Sequence, residues 1–221
     1  MGLTTETGRI GAAVRAAGRI ESAAHDKAPS IELATQEGRN KLIGVWLFIA
    51  AESVLFASFF AVYLALRHST MSGPTTKELF ELPLVFAATA LLLTSSFTSV
   101  MAVLNMRQLK AGPMKMWLAL TGLLGLAFLL LEIYEFNHYV HMKHTFVSSA
   151  FGTSFYSLVG FHGAHVTFGL LWLFALLVRN ARRGVTPYIA PKVYAFSLYW
   201  HFVDLVWVFI FTVVYLMGKV A

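Results

Sequence analysis

From residue 42 onward the chain alternates long apolar runs with short polar connections. Five of the runs reach the length of about 20 residues that an α-helix needs to cross the hydrocarbon core of a bilayer. They cover residues 42–66, 82–106, 114–139, 150–178 and 193–217. The pattern predicts an all-α fold, an integral membrane bundle of five transmembrane helices over residues 41–221, preceded by a tail of residues 1–40. Pro83 and Pro113 fall near the first helical position of the second and third spans, where a missing backbone donor is harmless. No internal repeat or inverted symmetry is present, which counts against the repeat-built secondary transporters. Gly122, Gly125, Gly160, Gly163 and Gly169 accompany uninterrupted apolar runs and read as packing glycines. Gly160 and Ala164 form a small-xxx-small pair suited to close helix approach.

Composition agrees with lipid as the solvent. Of the 221 residues 57% are hydrophobic and 13% charged, against about 25% charged in soluble domains. The absence of Cys excludes disulfides, thiolate metal sites and cysteine nucleophiles. The formal net charge of +6 does not point to nucleic acid, because the basic residues lie between apolar stretches and form no patch. Their distribution instead orients the chain. Arg9, Arg15, Arg19, Lys27, Arg39, Lys41, Arg107, Lys110, Lys115, Arg179, Arg182, Arg183 and Lys192 lie on the side of the N-terminus, and Arg67, Lys77, Lys143 and Lys219 on the other. The positive-inside rule then places the N-terminus in the cytoplasm and the C-terminus outside. The tail reads as solvated, with no hydrophobic region of a cleavable secretory signal.

Ionisable groups within the apolar runs carry the candidate chemistry, because each must be paired, protonated or in contact with water. On ideal helix geometry Glu52 lies roughly 15 Å from the cytoplasmic end of its span, His201 and Asp204 roughly 12 and 17 Å, and His165 and His162 roughly 20 and 24 Å. Glu132 and Glu135 stand nearer the outer surface. His162 with His165, His201 with Asp204, and Glu132 with Glu135 are i, i+3 pairs, each projecting from nearly one helix face toward other helices or another subunit. The bland reading is interhelical hydrogen bonding, with Asp204 accepting from a His or Trp and His165 donating to a backbone carbonyl. Haem ligation by two of the imidazoles requires similar depth, yet His162 and His201 differ by roughly 12 Å and His165 and His201 by roughly 8 Å. Glu135 and His138 supply only half of a di-iron motif. His138, His141 and His144 read as an interfacial polar turn rather than a zinc site. No metal site is expected. Glu52 differs from the others, since its i±3 and i±4 neighbours Phe48, Ile49, Leu55 and Phe56 offer no partner. It is either a neutral hydrogen-bond donor or a group that exchanges protons with a water-filled path. Thr94, Ser95, Ser96, Thr98 and Ser99 read as packing hydroxyls.

WLFIAAESVLFASFFAVYLALR from Trp46 to Arg67, LLEIYEF from Leu130 to Phe136, GFHGAHVTFGLLWL from Gly160 to Leu173 and YWHFVDLVWVFIFTVVYLMG from Tyr199 to Gly218 closely resemble subunit III of haem-copper cytochrome c oxidases. The resemblance covers the chain from about Gly38 onward, in the family's order. It implies an all-helical accessory subunit of a proton-pumping aerobic terminal oxidase in the bacterial cell membrane. Such a subunit binds no haem or copper itself and packs beside the catalytic subunit. Implied partners are oxidase subunits I and II, a small subunit IV and membrane lipids, with phospholipid in a cleft and no nucleic acid. Glu52 matches a glutamate near the entrance of a proton path, where the subunit sustains proton uptake and protects the catalytic centre during turnover. His162, His165, His201 and Asp204 match the family's characteristic polar positions. Longer members have seven helices, and this chain lacks the first two, as in the short bacterial form most like that of Gram-positive bacilli. Related assemblies oxidise cytochrome c or menaquinol, and the resemblance favours cytochrome c. The competing readings from the residues alone are an independent membrane haem protein and a proton or small-solute transporter built on Glu52.

Overall fold

The computed structural model describes residues 30–67, 82–141, 150–182 and 184–217. Residues 1–29 of the tail, and the side chains of His138, His141 and His144, lie outside that description. The helices are α1 (Gln36–Leu66), α2 (Leu82–Arg107), α3 (Ala111–His141), α4 (Ala150–Asn180) and α5 (Ala190–Ile210), the last continued by a π-helical turn over Phe211–Leu216. All five are long and apolar enough to cross a membrane, and there is no strand among the described residues.

Several helices extend beyond their apolar cores. α1 begins at Gln36, six residues ahead of the expected start, because the Thr35 side chain accepts from the Gly38 amide at 3.0 Å and caps a polar first turn. α3 likewise takes in Ala111 and Gly112 ahead of Pro113, and α5 starts at Ala190 with Pro191 in its first turn. A helical backbone satisfies its own polar groups in water as well as in lipid, so helices run on past the apolar window.

α5 occupies the centre. It packs against α1, α2 and α4, while α3 joins α2 to α4 and α1 leans on α4 and α5. Tyr199, Trp200, Trp207 and Phe196 of α5 are fully buried. α1 is the least covered helix, with Trp46, Leu47, Val54 and Val62 exposed, as lipid or a partner permits. Since lipid tails are as apolar as Leu, shape and hydrogen bonds hold such a bundle together. Both are visible around α5. Trp200 Nε1 donates to Ser95 Oγ at 2.9 Å, Trp207 Nε1 to Thr89 Oγ1 at 3.0 Å and Ser99 Oγ to Ser197 Oγ at 2.9 Å. The hydroxyl stripe of α2 therefore fastens it to α5. Thr98 and Thr121, 2.8 Å apart, do the same toward α3.

Trp200 also explains two glycines. A Cβ at Gly125 would stand 2.6 Å from its ring and one at Gly169 2.8 Å, so only hydrogen leaves space for the indole between α3 and α4. Gly160 is different. A Cβ there meets nothing within 4 Å, and Ala164 is exposed, so the expected small-xxx-small contact is not made among the described residues.

Residues 30–35, read from sequence as the end of a solvated tail, instead fold beneath the bundle. Ile31–Leu33 form a 3-10 turn, and buried Glu32 accepts through Oε1 from Arg107 Nη2 at 2.6 Å and Nε at 3.0 Å. The Arg107 guanidinium lies 5.6 Å from the Tyr194 ring. A Cβ on Gly38 would stand 2.5 Å from the Glu32 carbonyl oxygen and 3.0 Å from Pro191 Cγ. Gly38→Ala is therefore expected to destabilise this strap by about 1–3 kcal/mol, as overpacking against backbone does. Faster proteolysis ahead of α1, with the five helices intact by circular dichroism, is the expected readout.

Candidate functional site

Glu52 projects from α1 among Phe48, Ile49, Leu55 and Phe56, and its partner comes from α4. His165 Nε2 lies 3.2 Å from Glu52 Oε2, and His165 Nδ1 lies 2.7 Å from the Phe161 carbonyl oxygen one turn back on its own helix. The Phe56 ring packs on the imidazole at 5.0 Å, and Tyr199 of α5 donates to the His165 carbonyl at 2.9 Å. The pair is not sealed, since 18% of the Glu52 side chain and 15% of the His165 side chain remain accessible.

This geometry counts protons. A carbonyl oxygen only accepts, so Nδ1 carries a hydrogen. Nε2 then either accepts from a carboxylic acid or, in an imidazolium, donates to a carboxylate. Both arrangements place one proton in the 3.2 Å contact. Removing it sets a lone pair against a carboxylate. The contact lies at a half-buried position that the sequence places near mid-depth.

The other predicted residues are distributed around α4 and α5. His162, one turn from His165, is fully buried and meets other neighbours: its ring lies 6.1 Å from Phe128 of α3 and 5.2 Å from Trp207 of α5. The i, i+3 imidazoles therefore serve different neighbours rather than one common face. Glu132 is buried with its carboxyl against Gly163 of α4. Glu135, also buried, accepts from Tyr215 at 3.5 Å. Asp204 is buried beside Ser96 of α2, and its Oδ1 has no hydrogen-bond partner among the described residues. Among the described residues no His or Trp donates to Asp204 Oδ1, and the indoles of Trp200 and Trp207 are committed to Ser95 and Thr89. His201 is half-buried on α5 and stays outside the Glu52–His165 contact.

Among the described residues no three His, Asp or Glu side chains converge to hold a metal ion. Both ring nitrogens of His165 lie within hydrogen-bond distance of a partner. Sequence reasoning missed Tyr199 and Tyr215 as site residues. Tyr199 stood in view beside the Trp-His pair of α5, but a phenol on an aromatic helix carries no signal until its hydroxyl is seen to reach a polar atom.

Comparison with known proteins agrees with this architecture. The family model described as cytochrome c oxidase subunit III matches residues 30–219. The chain is 60% identical over 187 residues to the cytochrome c oxidase subunit 3 of Bacillus sp. PS3, covering 85% of this chain and 90% of that protein. It is 59% identical over 192 residues to the protein of the same description from Bacillus subtilis, covering 86% and 93%. A "Probable quinol oxidase subunit 3" of Staphylococcus saprophyticus is 46% identical over 197 residues, covering 89% and 98%. Five membrane-length helices and relatives of these kinds mark a multi-pass bacterial membrane protein. A match that runs from the strap beneath the bundle past the last described turn of α5 takes in every element above, and the chain belongs to the cytochrome c oxidase subunit III family.

Proposed function

We propose that this chain is the accessory, non-catalytic third subunit of a proton-pumping cytochrome c oxidase. It packs beside the catalytic subunit I, with subunit II and a small subunit IV completing the complex, its N-terminus in the cytoplasm and its C-terminus outside. Haem and copper belong to the partner subunits, which reduce oxygen. Phospholipid covers the apolar flanks. The observation that carries this reading is the Glu52–His165 contact: a carboxyl and an imidazole 3.2 Å apart on two helices, both partly accessible, with the other ring nitrogen on the Phe161 carbonyl. Such a pair supports proton uptake by a neighbour and keeps the neighbour active through turnover, and neither task requires a redox centre in this chain.

Greater identity to the Bacillus proteins, 60% against 46% for the staphylococcal one, favours cytochrome c over menaquinol as electron donor. The donor docks on a partner subunit, so steady-state oxidation of each donor by the purified complex distinguishes the two. The test of the accessory role is an oxidase purified with and without this chain. Without it, haem spectra should persist while activity decays several-fold faster during turnover. Equal durability would overturn the supporting role. A Soret band from the isolated chain, or proton flux in vesicles containing it alone, would favour the haem-carrier or transporter readings instead.

A further inference from the structure

We infer that the bundle holds an ordered-water site between α3, α4 and α5, lined by Glu132 and His162 and separate from the Glu52–His165 pair. The inference stands apart from the proposed function, since it rests on different side chains. Glu132 is 4% exposed and His162 not at all. Among the described residues, neither carboxyl oxygen of Glu132 and neither ring nitrogen of His162 has a hydrogen-bond partner. The two side chains come from facing stretches of α3 and α4. Both Glu132 oxygens lie 3.0–3.4 Å from where a Cβ on Gly163 would stand, and His162 is the preceding residue. Its ring packs on Phe128, one turn from Glu132 on α3, with Trp207 of α5 on its flank.

Four buried polar atoms from facing stretches of α3 and α4 are therefore unsatisfied by the described residues. In a lipid-embedded bundle no bulk solvent is available to them, and each orphaned donor or acceptor is costly. Buried water relieves this arrangement, because one molecule makes about three hydrogen bonds and both donates and accepts. It can donate to a Glu132 oxygen and meet whichever role the facing His162 nitrogen has. A metal ion fits poorly, since no third His, Asp or Glu among the described residues joins the two. Gly163 contributes by having no Cβ, which leaves the carboxyl room against the α4 backbone. Glu52 and His165 meet directly and need no such mediator. α4 thus divides two polar sites, with His165 turned to α1 and His162 turned to α3 and α5.

Two measurements on the intact oxidase complex test this. A map that resolves ordered water should show density within hydrogen-bond distance of both Glu132 and His162. A direct carboxyl–imidazole bond with no such density would overturn the inference, and this needs no variant. Infrared difference spectra of the complex in ordinary and oxygen-18 water should contain an internal water O–H band that shifts to lower frequency with the heavy isotope. The band should survive Glu132→Gln, which keeps hydrogen-bonding capacity, and be lost in Glu132→Leu. A band of unchanged strength in Glu132→Leu would equally overturn the assignment. Where Glu132→Leu does not assemble, the map of the native complex decides.

Discussion

Trp200→Ala should destabilise the bundle by about 2–3 kcal/mol, below the 3–5 kcal/mol of a Trp→Ala change in a soluble core. Trp200 is fully buried, fills the gap left by Gly125 and Gly169, and donates its only N–H to Ser95. The reduction follows from the solvent. In a bilayer the separated helices remain in an apolar medium, so little transfer free energy is lost, and the cost is forfeited packing and the lost indole bond to Ser95, whose hydroxyl still donates to the Leu92 carbonyl at 2.8 Å. Trp46→Ala provides the comparison, because Trp46 is exposed on α1 and its loss should leave the isolated bundle within about 0.5 kcal/mol, as is usual for surface substitutions. Chaotrope unfolding in detergent micelles, followed by circular dichroism, measures both. A Trp200→Ala loss no larger than that of Trp46→Ala would show that α5 is not the packing centre.

The second large effect is expected at Glu52. Glu52→Gln keeps a donor for His165 Nε2, since the amide N–H₂ can replace the acid O–H at the 3.2 Å contact. Stability and subunit content should change little. Glu52→Leu strands that nitrogen in a half-buried site and should cost about 1–3 kcal/mol, the usual penalty of an orphaned polar atom. Function separates the variants differently. Gln cannot lose and regain the proton, so both substitutions should slow proton uptake by the assembled oxidase, whereas only Leu should weaken assembly. Time-resolved pH-indicator measurements after oxygen mixing, with subunit stoichiometry checked in parallel, read the two effects separately. Uptake in Glu52→Gln at the native rate would reduce the pair to a packing element.

The contrast between Glu52 and Glu132 shows how much of the site is legible in sequence. Both are acidic residues in apolar runs, and depth arithmetic singles out each of them. Glu52 has no partner on its own helix, and its imidazole comes from a residue 113 positions away. Glu132, despite its i, i+3 relation to Glu135, ends against Gly163, while Glu135 turns to Tyr215. Two residues three apart on a helix differ by about 60° in direction on the ideal 3.6-residue turn. In a tightly packed bundle that angle sends one side chain to one neighbour and its companion to another. His162 and His165 behave in the same way.

Sequence alone determined that this chain is a five-helix membrane bundle and which of its groups are chemically out of place. Apolar length and buried charge are properties of single segments and answer directly to the solvent. The tertiary structure decided what each such group meets: the Glu52–His165 contact, the indoles committed to the α2 hydroxyls, the strap held by Glu32 and Arg107, and the unpartnered atoms of Glu132 and His162. Those outcomes depend on how each helix is rotated about its axis and which neighbour it is set against. That rotation is fixed by side-chain packing among all five helices at once, since within lipid the apolar faces of one helix are nearly equivalent.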